Sequence, residues 1–404
     1  MKSEWKVYSV QELIDLGMLE EPMDGNHGGI HPKTSDYVSS GVPFVMANNL
    51  SNGKVNYNNC AFISEQQAAT LRKGFAHPGD VLLTHKATIG RTAIVGDEYD
   101  TIILTPQVTY YRVKYGISNR YLKYYFDSSE FQQTLSNWAG SGSTRAYLGI
   151  TAQRKLPIVL PPMKIQKKVA SVLKSLDEKI ELNNAINNNL KQQAQAIFAN
   201  EFLSLDTLPE GWKQASLIDI ADYLNGLAMQ KYRPIADESG IPVLKIKELR
   251  QGCCDDNSEL CSPSIKSDYI IHDGDVVFSW SGSLLVDLWC GGICGLNQHL
   301  FKVTSSKYDK WFYYAWTKHH LDRFVAVAAD KATTMGHIKR DELAKAEVLI
   351  PNEKDYNRIG ALLQPIYEMI ISNRIENKKL AATRDTLLPK LMNGEIDMSE
   401  VDYE

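Results

Sequence analysis

The stretch HPGDVLLT at residues 77–84 decides how this chain is built, because nearly the same residues return as HDGDVVFS at residues 272–279. In both places a Gly-Asp pair precedes a run of aliphatic, β-branched or aromatic residues, which predicts a turn that leads into a buried strand. One short recurrence can arise by chance. The residues on either side decide whether it reflects a duplicated unit.

Other stretches recur in the same order along the chain. The recurring pairs are GVPFVMANNL (41–50) with GIPVLKIKEL (240–249), TPQVTYYRV (105–113) with LNQHLFKVT (296–304), GSTRAYLGITAQRKLPIVLP (142–161) with ATTMGHIKRDELAKAEVLIP (332–351), and KKVASVLKSLDEKIELNNAI (167–186) with NRIGALLQPIYEMIISNRIE (357–376). The second pair aligns Gln107 with Gln298. Collinear recurrence predicts a tandem duplication of about 190 to 200 residues, far longer than a solenoid repeat.

Each copy is predicted to begin with a mostly β globular domain. Short runs rich in β-branched and aromatic residues are separated by Gly, Asp, Asn and Pro, as in Val81–Thr84 and Thr109–Val113. Tyr121–Leu135 and Lys310–Phe324 each predict a helix whose aromatic residues pack on the sheet, an interpretation preferred to base stacking. The fold class is therefore α+β.

Each copy is predicted to end in a long amphipathic helix. Residues 164–202 contain no Gly or Pro, and apolar residues recur at steps of three and four. At 1.5 Å per residue such a helix reaches about 55 Å. Pro365 interrupts the second stripe, so that helix should kink there or restart with Pro365 in its first turn. The residues expected to pack are Val169, Val172, Leu176, Ile180, Ile186, Leu190 and Ile197 in the first helix, and Leu362, Ile366, Met369, Ile370, Leu380 and Leu387 in the second.

Two such helices can cover each other by pairing antiparallel as a coiled coil, which relates the copies by a pseudo-twofold axis and separates the globular domains. Polar runs NNAINNN and NRIENKK lie mid-helix, where they cost apolar contact and can set the register. Exposed remainders of the stripes would dock another protein. The predicted boundaries are 1–162 for the first domain, 163–203 for the first helix, 204–352 for the second domain, 353–392 for the second helix and 393–404 for an acidic tail.

Composition narrows the class of protein. The chain has 404 residues, a formal net charge of −4 and 44% hydrophobic residues, which is typical of a folded protein and gives no general attraction to nucleic acid. Its first residues lack the apolar core of a signal peptide, so a cytoplasmic location is expected. The six cysteines are expected to be reduced. Cys290 and Cys294 with His272 or His299 match no standard zinc spacing, so no metal site is predicted.

Motifs of catalysis are missing from the sequence. There is no phosphate-binding Gly-x-x-x-x-Gly-Lys-Ser/Thr loop, no Gly-x-Gly-x-x-Gly, no Gly-x-Ser-x-Gly and no His-Glu-x-x-His. An Asn/Asp-Pro-Pro-aromatic corner, which an adenine methyltransferase would need, is also missing. The sequence therefore predicts a binding protein rather than an enzyme.

Loops after the repeated strands supply candidate binding residues. HKATIGR (85–91) and WSGSL (280–284) occupy the same place in the two copies but differ in chemistry. Two readers of different DNA sequences would need this combination, because base edges are recognised by placed donors and acceptors. Solvated turns are the alternative for any single loop.

The ordered set of stretches resembles the DNA-specificity subunit of type I restriction-modification enzymes. The resemblance spans essentially the whole chain and rests on GDVLLTHKATIGRTAIV (79–95), TPQVTYYRV, the segment 142–180 and the ending LLPKLMNGEID (387–397). Three departures are IPNEKD (350–355) in place of a second PPM, the interruption at Pro365, and TTMGHIK in place of STRAYLG.

The resemblance implies a non-catalytic subunit of a larger complex. Each β-rich copy would be a target recognition domain that reads one part of a bipartite double-stranded DNA site, and the helices would set the gap. They would also dock two methyltransferase subunits, which carry S-adenosylmethionine and methylate adenine. Restriction or translocase subunits would add to that core. This chain itself would need no cofactor. The rival interpretation is a duplicated coiled-coil adaptor that joins proteins without reading DNA.

The residues predicted to contact DNA come from the loops of both copies. In the first domain they are Asn26, His27, His85, Lys86, Thr88, Arg91, Gln107, Ser143, Thr144 and Arg145. In the second domain they are Lys231, Arg233, Trp280, Ser281, Ser283, Gln298, Lys331, Thr333, Thr334 and His337.

Overall fold

The computed structural model describes residues 5–140, 146–330 and 340–399. The chain divides into two compact units, the first formed by Met1–Asp177 with Ala382–Glu404 and the second by Glu178–Ala381. Each unit therefore contains part of both long helices. Ser143, Thr144, Arg145, Lys331, Thr333, Thr334 and His337 lie outside the described residues.

The first unit combines short strands with helices that cover one face of a sheet. Its strands are β1 (Lys6–Ser9), β2 (Met23–Asp24), β3 (Tyr37–Val38), β4 (Val42–Val45), β5 (Leu50–Ser51), β6 (Gly53–Val55), β7 (Ala61–Ile63), β8 (Phe75–Ala76), β9 (Val81–Lys86), β10 (Thr88–Ile94), β11 (Ile102–Leu104), β12 (Val108–Tyr111) and β13 (Pro157–Leu160). Its helices are α1 (Val10–Asp15), α2 (Glu65–Ala69), α3 (Asn119–Asp127), α4 (Ser129–Trp138), α5 (Ile150–Gln153) and the first half of α6 (Met163–Phe198).

The second unit repeats this plan with fewer strands in the described residues. Its strands are β14 (Lys213–Ser216), β15 (Asp222–Asn225), β16 (Ile241–Leu244), β17 (Leu260–Cys261), β18 (Ile270–Ile271), β19 (Val276–Ser279), β20 (Leu285–Leu288), β21 (Cys294–Leu296), β22 (Leu300–Thr304) and β23 (Glu347–Ile350). Its helices are α7 (Leu217–Ile220), α8 (Ile246–Gln251), α9 (Lys310–His319), α10 (Leu321–Asp330), α11 (Arg340–Ala344) and most of α12 (Glu353–Met392).

The sheets of the two units have the same strand order. The order β2-β12-β9-β10 in the first unit corresponds to β15-β22-β19-β20 in the second, and β7-β4-β11-β8 corresponds to β17-β16-β21-β18. The small pairs β1-β13 and β14-β23 also correspond. The predicted duplication and the α+β fold class are confirmed, since chance similarity of sequence would not reproduce two sheet topologies.

The repeated Gly-Asp stretch forms the same turn in both units. Gly79 and Gly274 have φ of 88° and 87°, a conformation that glycine adopts without the strain a side chain would bring. Asp80 closes the first turn by accepting from the backbone N–H of His77 at 2.8 Å, and Asp275 accepts from His272 at 2.9 Å. The recurrence thus reflects a structural requirement at the start of β9 and β19.

Aromatic residues of the helices build the core of each unit. Tyr121, Phe126 and Phe131 are buried in the first unit, and Trp311 and Phe312 are buried in the second. The packing predicted for these aromatics is observed. Full burial of a side chain of this size stabilises the fold by about 2–3 kcal/mol.

The helices predicted over 121–135 and 310–324 are each two helices, which corrects the prediction. Ser128 stands between α3 and α4 with extended backbone (φ −63°, ψ 145°), and its hydroxyl accepts from the N–H of Phe131. A capping serine therefore interrupts the aromatic periodicity. In the second unit the break falls at His320, between α9 and α10.

Helices α6 and α12 run antiparallel where they meet inside each unit. In the first unit Arg384 of α12 pairs with Asp177 of α6 at 2.9 Å, and Leu388 and Leu391 share a core with Val169. Within the second unit, residues further along α6 meet residues earlier in α12, as antiparallel helices require. Asn183 donates to Asn377 at 2.8 Å, Asn187 accepts from Asn373 at 2.9 Å, and Phe198 packs in the core that contains Ile359 and Leu363.

Polar residues occupy part of the seam between the helices, which corrects several predicted packing positions. Asn183 and Asn187 are buried at 1% and 4% exposure, whereas Ile186 is 38% exposed. On α12, Leu362 and Met369 are exposed at 45% and 51%. Each of these three apolar residues lies one position before a residue that faces the other helix. The side-chain amides of Asn183 and Asn187 therefore point into the seam, and the three apolar side chains face solvent.

The remaining predicted packing residues are buried or half-buried, namely Val169, Val172, Leu176, Ile180, Leu190, Ile197, Ile366, Ile370, Leu380 and Leu387. Helix α12 continues from Glu353 to Met392 through Pro365, so the predicted alternative of a restart at Pro365 is wrong.

In the part of the chain that the structure describes, none of the helices has the length and hydrophobicity of a membrane-spanning segment.

Candidate nucleic-acid interface

The hairpin between β9 and β10 carries an exposed group of polar residues in the first unit. Lys86, Thr88 and Arg91 are exposed, and the tip turns at Ala87 with φ of 65°. The N–H of Ala87 donates to the carbonyl of Ala146 at 3.0 Å. The hairpin tip is therefore attached to the segment that follows the predicted loop residues 143–145.

His85 fastens the base of this hairpin from inside the domain. Its side chain is fully buried, and Nδ1 donates to the carbonyl of Leu148 at 3.0 Å. Because a carbonyl only accepts, the proton lies on Nδ1 and Nε2 is left without a hydrogen bond, 4.0 Å from Asp24 Oδ2. Burial lowers the pKa of His85 by more than the charge of Asp24 raises it.

Asp24 is a buried carboxylate that gathers groups from separate loops. Its side chain is 4% exposed; Oδ2 accepts from His27 Nε2 at 2.8 Å, and Oδ1 accepts from Lys73 Nζ. Burial raises the pKa of Asp24, but the hydrogen bonds and charges of Lys73 and His27 outweigh it and hold the pKa below its usual range. The carboxylate is therefore ionised, and each of its two oxygens accepts a hydrogen bond.

Asn26 holds the neighbouring loop in place. It is 2% exposed, and its Nδ2 donates to the carbonyl of Lys73 at 2.6 Å while its Oδ1 accepts from the N–H of Arg72 at 3.0 Å. Asn26 and His85 are both buried, and their contact with DNA stays a prediction. Both side chains make their hydrogen bonds with other groups of the same domain. Gln107 is half-buried and His27 is exposed.

Trp280 occupies the corresponding place in the second unit. Its Nε1 donates to Asn225 Oδ1 at 2.9 Å, and its ring stacks on Phe301 with centroids 5.6 Å apart. Ser281 is 2% exposed and hydrogen-bonds His299 Nδ1 at 3.0 Å, and its contact with DNA stays a prediction. Ser283, half-buried, hydrogen-bonds Arg250.

A cavity of about 470 Å³ opens beside this cluster. Its lining includes Arg233, Lys245, Gln298 and His299, together with Glu259, which pairs with both Arg233 and Lys245. Arg233 is exposed, as is the predicted residue Lys231. Gln298 is half-buried and lies on the lining.

Strand register shows which residues of the two units are equivalent. Thr84 pairs with Val108, and Ser279 pairs with Leu300, which makes His85 the counterpart of Trp280. The backbone N–H of His85 donates to the carbonyl of Gln107, and that of Trp280 to the carbonyl of His299. Gln107 is therefore equivalent to His299, which corrects its alignment with Gln298 by one residue.

The same register makes Asp24 equivalent to Asn225. Asp24 pairs with Thr109, and Asn225 pairs with Phe301, the counterpart of Thr109. Glycine follows in both units because a Cβ on Gly25 would lie 1.9 Å from the carbonyl oxygen of Leu104, and one on Gly226 would lie 2.2 Å from that of Asn297. Asp24, Lys73, Asn225 and His299 are absent from the residues predicted to contact DNA. The repeated Asp/Asn-Gly pair was the signal that could have found the first and third.

No cluster of His, Cys, Asp and Glu suited to a metal ion occurs within 5–140, 146–330 and 340–399. Cys290 and Cys294 are buried free thiols, and burial raises the pKa of Cys290 to about 11. These sulfurs pack in the interior of the second unit.

A comparison with protein families accounts for both copies at once. The profile of the type I restriction modification DNA specificity domain matches residues 2–192 and again residues 209–382. The chain belongs to this family. It is a specificity subunit of the type I restriction-modification kind, and such subunits are non-catalytic.

Two named relatives match this chain over most of its length. The specificity subunit is 26% identical over 427 residues to the type I restriction enzyme MjaIX specificity subunit of Methanocaldococcus jannaschii, with 98% of this chain and 95% of that one covered. It is 23% identical to the EcoKI specificity subunit of Escherichia coli K12, with 88% and 82% covered. The crystal structure of the type I S subunit from M. genitalium matches with a TM-score of 0.57 at 12% identity over 96% of both chains, which shows a shared fold.

Proposed function

We propose that this specificity subunit reads a bipartite double-stranded DNA site, one part with each β-rich domain, for a type I restriction-modification complex. The observation that carries the proposal is the pairing of one sheet topology with two sets of loop residues. The stretch that begins at His85 carries the exposed Lys86, Thr88 and Arg91, whereas the equivalent stretch of the second unit is WSGSL (280–284). A common scaffold with different donors and acceptors suits two different DNA sequences.

Exposed cationic and polar side chains support contact with DNA beside these positions. Lys86, Thr88 and Arg91 project from the hairpin of the first unit, while Arg233 and Lys245 line the cavity of the second. Basic residues bind backbone phosphates, which sets the register of a protein on the duplex. The net charge of −4 does not oppose this, because binding depends on the local surface.

Docking of two methyltransferase subunits is the second part of the proposal. Inside the second unit, Leu182 and Ile186 of α6 and Leu362 and Met369 of α12 are exposed, and each directly precedes a buried seam residue. In an antiparallel pair these positions flank the same edge of the seam. We call these four residues the apolar edge. Large apolar side chains exposed along one edge of paired helices are typical of a protein contact site.

Catalysis and cofactor binding are assigned to the partner. S-adenosylmethionine would be bound by the methyltransferase, which would flip and methylate adenine while this chain selects the site. Restriction or translocase subunits would join through the methyltransferases.

Domain exchange tests the proposal. Residues 1–160 are replaced by the first domain of a relative with a known target, and the modified sites of cells that express the hybrid with its methyltransferase are mapped by methylome sequencing. One half of the site should change while the other half and the gap stay the same. A change in both halves, or methylation without sequence preference, would contradict separate reading. An extra helical turn near Asn187 should lengthen the gap and leave both halves unchanged.

A further inference from the structure

We infer that Asp24 is a positioning residue that presents His27 to DNA as a hydrogen-bond acceptor for the exocyclic amino group of a base, with Lys73 as a flanking cation. The inference rests on the proposed DNA-reading function. Lys73 and Asp24 are absent from the residues that the sequence predicted.

The carboxylate selects one tautomer of His27. Asp24 Oδ2 lies 2.8 Å from Nε2 and can only accept, so a ring with a single proton carries it on Nε2 and presents Nδ1 as an acceptor. The side chain of His27 is 48% exposed, whereas that of Asp24 is 4% exposed. One ring nitrogen is thus fixed inside the domain, and the remaining polar atom belongs to a solvent-accessible ring.

An acceptor of this kind distinguishes bases in the major groove. Adenine N6 and cytosine N4 carry N–H donors, whereas guanine O6 and thymine O4 are acceptors and would oppose Nδ1. The ring therefore favours adenine or cytosine at one position of the first half-site.

Lys73 completes the arrangement from another loop. Its ammonium has three N–H donors, of which one points to Asp24 Oδ1, and its side chain is 34% exposed. The remaining donors suit a phosphate oxygen. Asn26 fixes this loop through the carbonyl of Lys73 and the N–H of Arg72, so the positions of His27 and Lys73 are linked.

The second unit lacks this chemistry at the equivalent place. Asn225 Oδ1 accepts from Trp280 Nε1, and Ala228 occupies the third position after Asn225, where His27 follows Asp24. The arrangement therefore belongs to the first domain, and its effects should be confined to the first half-site.

Asp24→Asn tests the inference, because the new amide can donate to His27 Nε2 and so release the ring from its tautomer. The complex with its methyltransferase is titrated with the cognate duplex and with duplexes substituted at single positions in either half-site. We expect about a tenfold loss of discrimination at one adenine or cytosine position of the first half-site, with the second half-site unaffected. The ¹⁵N NMR signals of His27 should change from a single Nε2–H tautomer to a mixture.

Four further variants complete the test. Lys73→Met should weaken binding to all duplexes and reduce the salt dependence by about one phosphate contact, and Lys73→Arg should restore it. Asn225→Asp keeps the acceptor for Trp280 and should leave the first half-site unchanged. His27→Ala, at an exposed position, removes the ring acceptor, should lose the same discrimination as Asp24→Asn and covers the case in which Asp24→Asn does not fold.

The outcomes separate the inference from the proposed function. Wild-type complex without preference in either half-site would overturn the proposed function itself. Wild-type discrimination that survives His27→Ala at every position of the first half-site would overturn the inference alone. Loss in both half-sites would show a general structural effect and would also overturn it.

Discussion

Asn373 Nδ2 donates a hydrogen bond to Asn187 Oδ1 at 2.9 Å across the seam between α6 and α12 in the second unit. Both side chains are at least nine-tenths buried, and Asn187 also bonds the carbonyl of Ile370 at 3.5 Å. Buried amides in a coiled coil lower stability but favour the one register in which they meet. This pair therefore aligns the two helices at their polar section.

Replacement of one amide should destabilise the helix pair more than replacement of both. Asn373→Leu leaves Asn187 Oδ1 without its donor, and an unsatisfied buried polar group costs about 1–3 kcal/mol. Asn187→Leu with Asn373→Leu should recover most of that loss through apolar packing. Urea unfolding of both variants measures the difference. A double variant less stable than either single variant would contradict this account.

Arg374 should contribute more to the stability of the second unit than Arg358, although both make bidentate ion pairs on α12. Arg374 bonds Asp287 at 3.0 and 3.1 Å and the carbonyl of Leu288 at 2.7 Å, with its side chain 20% exposed. We expect Arg374→Gln to lower the free energy of unfolding by about 2 kcal/mol.

Arg358→Gln is the matched control for this prediction. Arg358 bonds Glu201 at 2.7 and 2.8 Å, but its side chain is 49% exposed, so solvent screens the pair and the loss should be about 1 kcal/mol or less. Thermal or urea unfolding compares the two variants. Equal losses would show that burial does not set the contribution of these pairs.

The second unit should lose stability in mild acid through His320. Burial lowers the pKa of His320 to about 4, below its ordinary value of 6.5, although Nε2 donates to the carbonyl of Glu347 at 2.8 Å. The unfolded chain then binds the proton more readily. The stabilisation is complete above pH 6.5 and is lost as pH falls toward 4, by about 3 kcal/mol.

His320→Gln checks this prediction because the amide can keep the donor and cannot be protonated. The pH dependence of the free energy of unfolding should be shallower between pH 6.5 and 4 in the variant than in the wild type. Parallel curves would show that His320 does not titrate with a lowered pKa.

The apolar edge should be needed for docking of the methyltransferase and dispensable for folding. Ile186→Lys with Met369→Lys places two charges on residues that are 38% and 51% exposed, so stability should change little. Affinity for the methyltransferase should fall at least tenfold in a pull-down or by calorimetry. Ile235→Lys, at a loop residue that is 74% exposed, is the control and should bind normally.

The architecture could be derived from the sequence because it depends on patterns repeated along the chain. The Gly-Asp turn before β9 and β19 needs a glycine with positive φ and an aspartate that closes the turn, so both copies retain the same residues. The long helices follow from runs without glycine or proline and from apolar residues at steps of three and four. These are local requirements, and a linear sequence displays them directly.

Packing in three dimensions decided which side chains face inward and which meet at the candidate interface. Ile186 matches the apolar stripe, yet Asn183 and Asn187 occupy the seam because their amides find partners on α12. Likewise, Asp24 joins His27 to the distant Lys73, a contact between strand and loop that no local pattern encodes. Periodicity depends on nearest neighbours in the chain, whereas the burial and pairing of polar groups depend on partners that only the folded backbone brings within hydrogen-bond distance.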